Sequence, residues 1–452
     1  MQIPIMAGMT ARDGHFAAEY PVNLEPRAKV SGLSQGQLVS TRGAVQRVAG
    51  TGAGRGGILW NGALYRASGS RLIRIDADWT VANLGDIGND NAPCGFDYSF
   101  DRLSIRSGGK LFYYDGTALT QVTDPDLGTV LDHVWIDGYH VTTDGEFLVA
   151  TDLLDPANVN PLKYGSAEQD PDPLTGVFKI RGELYGVGRH TIQVFDNVGG
   201  LNFPFRVNTS ATIPVGCISA TAKCPVGGET YAFIGGARNE PLGLYVLAGG
   251  SAERLSNMEI EAILAAEPVP ELIELEYRTF GEEAYVLIHM AAKTIGVALQ
   301  ASKAADDGAW FILASDGPYR PRHAVWAYGK HVVDDLAGTA IGELTTATAL
   351  HFDADPDWTF ASALMFNEGE AFSIDEVELS GQFPLSGCAV FFSMTRDAAV
   401  WSNEIARRLT GRRDERVVWR PSLRVRTLTG FRWRGKGRVA IARADARGEV
   451  MA

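Results

Sequence analysis

The chain has 452 residues, 45% of them hydrophobic, so it can bury a large core and is not disordered as a whole. Its net charge of -13 hides an asymmetry: residues 407 to 447 hold 14 Lys and Arg against 3 Asp and Glu, a net +11, which leaves 27 against 51, or -24, for the rest. An acidic body argues against a general nucleic-acid binder, because phosphate affinity rests on Lys and Arg set against the backbone.

Residues 1 to about 50 carry few strong strand runs and end in AGTGAGRGG, which reads as an arm followed by a flexible joint. From Gly57 the pattern changes to ILW, Asn61-Gly62, ALYRA and RLIRID, and Asn-Gly between apolar runs is the strongest short hairpin signal. Similar units return as RLSIRSGGKLFYYDGTALTQV and HVWIDGYHVTTDGEFLVATD. The stretch from Thr151 to Gly199 joins a polar run carrying Pro156, Pro161, Pro171 and Pro173 to GVFKI, ELYGV and TIQVF. It reads as a shaped surface loop feeding an antiparallel meander. The series continues through YAFIGG with GLYVLAGG, EAYVLIHM with TIGVALQAS, and KHVVDDLAGTAIGELTTATALHFD. One stretch reads clearly as helix, capped by Ser256 and Asn257, with Ile260, Ile263 and Leu264 on one face and Pro268 ending it.

The recurring strand, Gly turn and strand predict an all-β chain, a β-propeller of about six drifted blades over residues 51–355, with two stacked sandwiches as the competing arrangement. Residues 1–50 form the N-terminal arm. From DPDWTF onward the character shifts, and residues 356–452 read as a basic C-terminal β unit, a β-sandwich or a modified blade. No run approaches the ~20 apolar residues that span a bilayer. The opening MQIPIMAGMT lacks a basic region and makes a poor signal peptide, so folding is expected in a cytoplasm. Cys94, Cys217, Cys224 and Cys388 form no Cys-x-x-Cys pair. A Cys217–Cys224 bridge across a hairpin is conceivable, but buried reduced thiols are the favoured reading.

Motifs for chemistry are sparse. His133 with His140, and His323 with His331, flank strand turns, yet none has metal-ligand spacing, and hydrogen-bonded or solvated imidazoles are the expected state. Propeller glycosidases set paired carboxylates at the axial mouth. Here Asp115, Asp144, Asp316 and Glu183 sit beside Gly or inside turns, where carboxylates bond the local backbone. DPDPLTG and DADPDW lack the spacing of a calcium loop. Trp419, Phe431 and Trp433 among arginines fit base stacking, a strand with core aromatics, or a docking surface for an acidic protein.

Taken end to end, the chain resembles the tail hub family of short-tailed bacteriophages, also called nozzle or packaged-DNA stabilization proteins. The resemblance rests on IPIMAGM with EYPVNLEPRAK, TDLLDPANVNPLKYGSAEQDPDPLTGV, HTIQVFDNVGG, TYAFIGG, NMEIEAIL and DERVVWRPSLRVRTLTGFRWR, in that order. It departs at Arg420-Pro421-Ser422, where the family tends to be more basic. The resemblance implies a structural virion protein, assembled in the host cytoplasm into the tail. Six copies would form a ring extending the portal-adaptor channel, retain packaged DNA and attach fibre, spike or needle proteins. DNA would pass through without specific binding, and there would be no membrane insertion. It implies no catalytic, cofactor or metal residue; the runner-up is a propeller enzyme acting on host surface carbohydrate. An acidic channel wall suits passage, since a basic one would grip the phosphates.

The basic segment is expected to dock a neighbouring subunit or ring through Arg407, Arg408, Arg412, Arg413, Arg416, Arg420, Arg424 and Arg426. Copies with a body at -24 repel unless opposite charges meet, and Arg pairs carboxylates bidentately. Alternation in RVVWRPSLRVR turns Val417, Trp419 and Leu423 inward and the arginines outward.

Overall fold

The computed structural model describes all residues except 1, 7, 13, 29–35, 154, 168–170, 201, 306–307, 368–369, 384–387, 413–414 and 450–452. Among the described residues, seven antiparallel sheets follow one another along the chain where about six were expected. Their inner strands are Gly54–Trp60, Gly95–Tyr98, Asp132–Ile136, Leu174–Ile180, the pair Gly216–Cys217 and Lys223–Pro225, Glu274–Phe280, and Pro321–Ala327. Neighbouring sheets meet mainly along these strands and the last meets the first, which closes a propeller. The turn chemistry explains the hairpins. Asn61 and Gly62 both take positive φ, 47° and 75°, between the paired Trp60 and Ala63, the requirement of the two-residue turn whose twist matches the strands.

Blade seven explains the miscount. Its sequence supplies only Pro321–Ala327, Lys330–Asp335 and Ala340–Thr345; the outer strand is Gly43–Ala49, paired from Ala340 opposite Ala49 to Thr345 opposite Gly43. The glycines between this strand and blade one are not a flexible joint. Gly50 N–H donates to Thr339 O at 2.7 Å, Thr51 N–H donates to Ser68 Oγ at 2.9 Å, and a Cβ on Gly54 would overlap the Asp334 carboxylate. Close approach, not freedom, selects glycine there.

Residues 1–50 are likewise not a separate arm. Leu24–Ala28, Gly36–Ser40 and Gln2–Ile3 join Ala440–Arg447, Glu376–Gln382 and Val417–Trp419 in one sheet. A second sheet, Trp358–Ala361, Leu428–Gly435, Ala389–Thr395 and Ile405–Arg408, shares its core: Phe360 stacks on Trp433 at 4.9 Å, and Phe392 on Trp419 at 5.2 Å. The unit is thus a sandwich. Val22 ties it to the propeller, bridging Thr359 on one side and Ile312 of blade six on the other.

The proline-rich stretch differs from a loop in its middle. Val159–Ser166 is the outer strand of blade three. Its register shifts between Val149↔Tyr164 and Thr151↔Val159, so Pro161 sits in a bulge on an edge strand, where no ladder N–H is required. The expected helix runs Met258–Ala265, with Asn257 Oδ1 accepting from Ile260 N–H at 3.0 Å and with Ile260 and Leu264 buried. A second helix, Leu299–Ala305, carries no cap signal; it follows directly from the strand Thr294–Ala298 and lies on Leu24–Ala28.

Candidate docking edge and propeller axis

The basic segment lies along one rim of the sandwich. Ile405–Arg408 is the free edge of one sheet and Val417–Trp419 that of the other, and Trp419 Nε1 donates to Ile405 O at 3.0 Å to hold the two edges together. Val417, Trp419 and Leu423 are buried as alternation requires, and Phe431 and Trp433 are wholly buried. These rings are core, so none is free to stack a nucleobase. The arginines point outward, but several are already paired within the chain. Arg416 reaches Glu378 at 2.6 Å and Glu376 at 3.1 Å, Arg420 and Arg447 reach the same Glu376 at 3.1 and 3.5 Å, and Arg407 reaches Glu415 at 3.4 Å. Arg408, Arg412, Arg424 and Arg426 are exposed, with no ion pair among the described residues. Arg413 lies outside the described residues.

Several charged side chains of the propeller are turned inward. At the propeller axis Asp97 of blade two meets Lys179 of blade four at 3.3 Å, and Asp132 of blade three meets Lys223 of blade five at 2.8 Å. His323 of blade seven lies between Glu274 of blade six at 3.2 Å and Asp334 at 3.3 Å, and Asp334 binds Arg66 of blade one at 2.7 Å. Burial opposes charge on His323, but its bonds to Asp334 and Glu274 outweigh burial and push its pKa up to about 9. These pairs cross between blades and close the axis to anything as wide as a duplex. Asp115 and Asp144 accept from backbone N–H groups two and three residues on, as their turn positions predict, whereas Glu183 accepts from the Tyr185 hydroxyl instead of the backbone. His133, His140, His323 and His331 are buried or half-buried, bonded or packed within the fold. The four cysteines are free, and burial pushes the Cys217 thiol up to about 11.

Two family models match this chain. The β-propeller of bacteriophage P22 Gp10 matches residues 1–349, and the β-sandwich of the same protein matches residues 357–449. The chain belongs to the P22 Gp10 family. It is therefore a structural protein of a bacteriophage tail. The tail hub protein gp10 of Salmonella phage P22 is 24% identical over 96% of both chains. Solved structures with similar outlines include the Neurospora crassa Pan2 WD40 domain, at 11% identity, 70% of this chain, 97% of that one and a TM-score of 0.42. The N-terminal domain of Nup159 follows at 10% identity, 71% and 98% coverage and a TM-score of 0.39.

The sequence of this Gp10-family chain flags His133 and His323 as hydrogen-bonded imidazoles, which they are, without showing their partners. Those partners, Ser104, Glu274 and Asp334, come from other strands, two of them in other blades. A polar or charged residue in every inner strand was the available hint, since a propeller gathers those strands at one axis.

Proposed function

We propose that the protein is the hub, or nozzle, of a short-tailed phage: six copies form a ring that extends the portal-adaptor channel, retains packaged DNA and carries the distal fibre, spike or needle proteins. The reading is carried by the match of both domains, in order, to a tail hub protein over 96% of its length. Because ion pairs span each propeller axis, DNA would travel between copies and not through a propeller. A body at -24 facing that passage would let the phosphate backbone slide.

In this reading the sandwich rim is the docking face, and the work falls to the unpaired Arg408, Arg412, Arg424 and Arg426, with Arg407, Arg413, Arg416 and Arg420 around them. Rim charges steer assembly and fix orientation more than they add affinity. Negative-stain microscopy of the protein with its portal-adaptor complex tests this. The unaltered chain should add a ring below the adaptor, and R408E/R412E/R424E/R426E should fail to add one at moderate salt. A variant that assembles normally but loses affinity for duplex DNA would replace docking with phosphate binding. Hydrolysis of host polysaccharide by the pure protein would overturn the structural reading.

A further inference from the structure

Among the described residues, Arg106 near the axis is a cation without an ion-pair partner. A cavity of about 240 Å³ opens where the inner strands begin, and Arg106, His133, Lys223 and Glu274 line it. Lys223 is neutralised by Asp132 and Glu274 by His323. Arg106, on the second strand of blade two, has no ion-pair partner among the described residues, and its Nε is shut away from solvent with no acceptor. His133 is only 6% exposed, and its Nδ1 is likewise buried with no partner. Both nitrogens lie 3.5 Å from the point where a Cβ on Gly95 would stand, so they face the same part of the cavity wall beside that glycine. Buried nitrogens of this kind normally find partners, and two orphans facing one cavity call for a common one.

The protonation pattern narrows that partner. Ser104 Oγ donates its single hydrogen to Asp97 O at 2.8 Å. Towards His133 Nε2, 2.9 Å away, it can only accept, so Nε2 carries the ring proton. Burial pushes the His133 pKa down and keeps the ring neutral, which leaves a lone pair on Nδ1. The spot therefore offers a cationic donor beside an acceptor. A fully ionised oxyanion such as sulfate suits Arg106 but sets lone pair against lone pair at His133. An oxyanion that keeps one hydroxyl satisfies both, accepting from Arg106 and donating to Nδ1.

We propose that the axial cavity of the propeller binds a phosphate-class oxyanion carrying a P–OH, held by Arg106 and His133. Phosphodiesters have no such hydroxyl, so the site does not grip a DNA backbone. The ligand is free phosphate, or a small organic phosphomonoester as its monoanion, which keeps a P–OH only below a second pKa of about 6.

Isothermal titration of the full chain with inorganic phosphate, sulfate and glycerol phosphate at matched ionic strength and a pH of about 6, where both phosphates keep a P–OH in part, tests the proposal. Phosphate should bind once per chain, with sulfate weaker by about tenfold or more, the loss expected when one buried hydrogen bond is replaced by repulsion. Arg106→Gln should weaken phosphate by a similar factor of about ten. Binding of phosphate alone identifies the free ion, and binding of glycerol phosphate as well identifies a monoester. Equal binding of sulfate and phosphate, or no binding of phosphate at millimolar concentration, overturns the proposal. Should Arg106→Gln not fold, the unaltered protein with ¹⁵N-labelled histidine decides: the His133 Nδ1 resonance should move on adding phosphate, and an unmoved resonance rejects the site.

Discussion

The propeller and the sandwich handle charge in opposite ways. The propeller buries ion pairs at its axis, where Arg66 and Asp334 are 0% and 3% exposed, and uses them to fasten one blade to another. The sandwich fills its interior with Trp358, Phe360, Phe392, Phe431 and Trp433 and keeps its arginines on the rim, where Arg420 is 73% exposed. The difference follows from geometry. Seven inner strands cannot all pack apolar side chains into one narrow axis without leaving strand-end polar groups there, whereas two facing sheets interdigitate side chains from both sides. Charge in the propeller therefore concerns the fold, and charge on the sandwich concerns what meets it.

Substitutions test that contrast. The largest loss should come from Trp433→Ala, about 3–5 kcal/mol for emptying a fully buried aromatic site, read as a lowered urea midpoint. Arg66→Met should follow at about 3 kcal/mol, because it strands Asp334 in the interior with His323 as its remaining partner. If Arg66→Met is as harmless as a rim substitution, the axis is wetter than its burial implies and the contrast fails.

Protonation gives smaller effects with a definite sign. His323 has its pKa raised from 6.5 to about 9, so its stabilisation is complete below pH 6.5 and is lost as the pH rises through about 9. His289 and His351 are pulled down to about 4, chiefly by burial. The unfolded chain takes up their protons first, so stability falls as the pH drops from 6.5 towards 4. Denaturation midpoints across this range should trace a dome, and His323→Gln should flatten only its alkaline side. The smallest change in fold stability should be that of R408E/R412E/R424E/R426E, whose thermal midpoint should match the parent within error, because these side chains are exposed and make no ion pair among the described residues. A clear drop would mean that the rim arginines hold the sandwich together.

Much of the propeller was legible in residues, because Asn61-Gly62 and its counterparts are local signals for local hairpins. What was not legible is what the chain builds at a distance. Gly43–Ala49 and Gly36–Ser40 are short, small-residue strands with little propensity of their own, and their partners Ala340–Thr345 and Ala440–Arg447 lie hundreds of residues away. The outward turn of the rim arginines was read correctly from alternation. The pairing of Arg416 and Arg420 with Glu376 was not, because that glutamate belongs to a strand forty residues earlier. At the axis, convergence of seven strands makes neighbours of Arg106, His133 and Gly95, which no spacing in the sequence announces.

Closure of blade seven by Gly43–Ala49 also sets the timing of synthesis. That strand leaves the ribosome early, yet the strand it completes ends at Thr345, about 300 residues later, and at roughly 5–20 residues per second it waits some 15–60 s for its partner. The sandwich waits longer still, since Leu24–Ala28 and Gly36–Ser40 need Ala440–Arg447. A nascent chain thus carries unpaired edges until its last residues emerge, and a product truncated before Ala340 can close neither unit. In a phage tail component this makes incomplete chains unable to pass as finished ones.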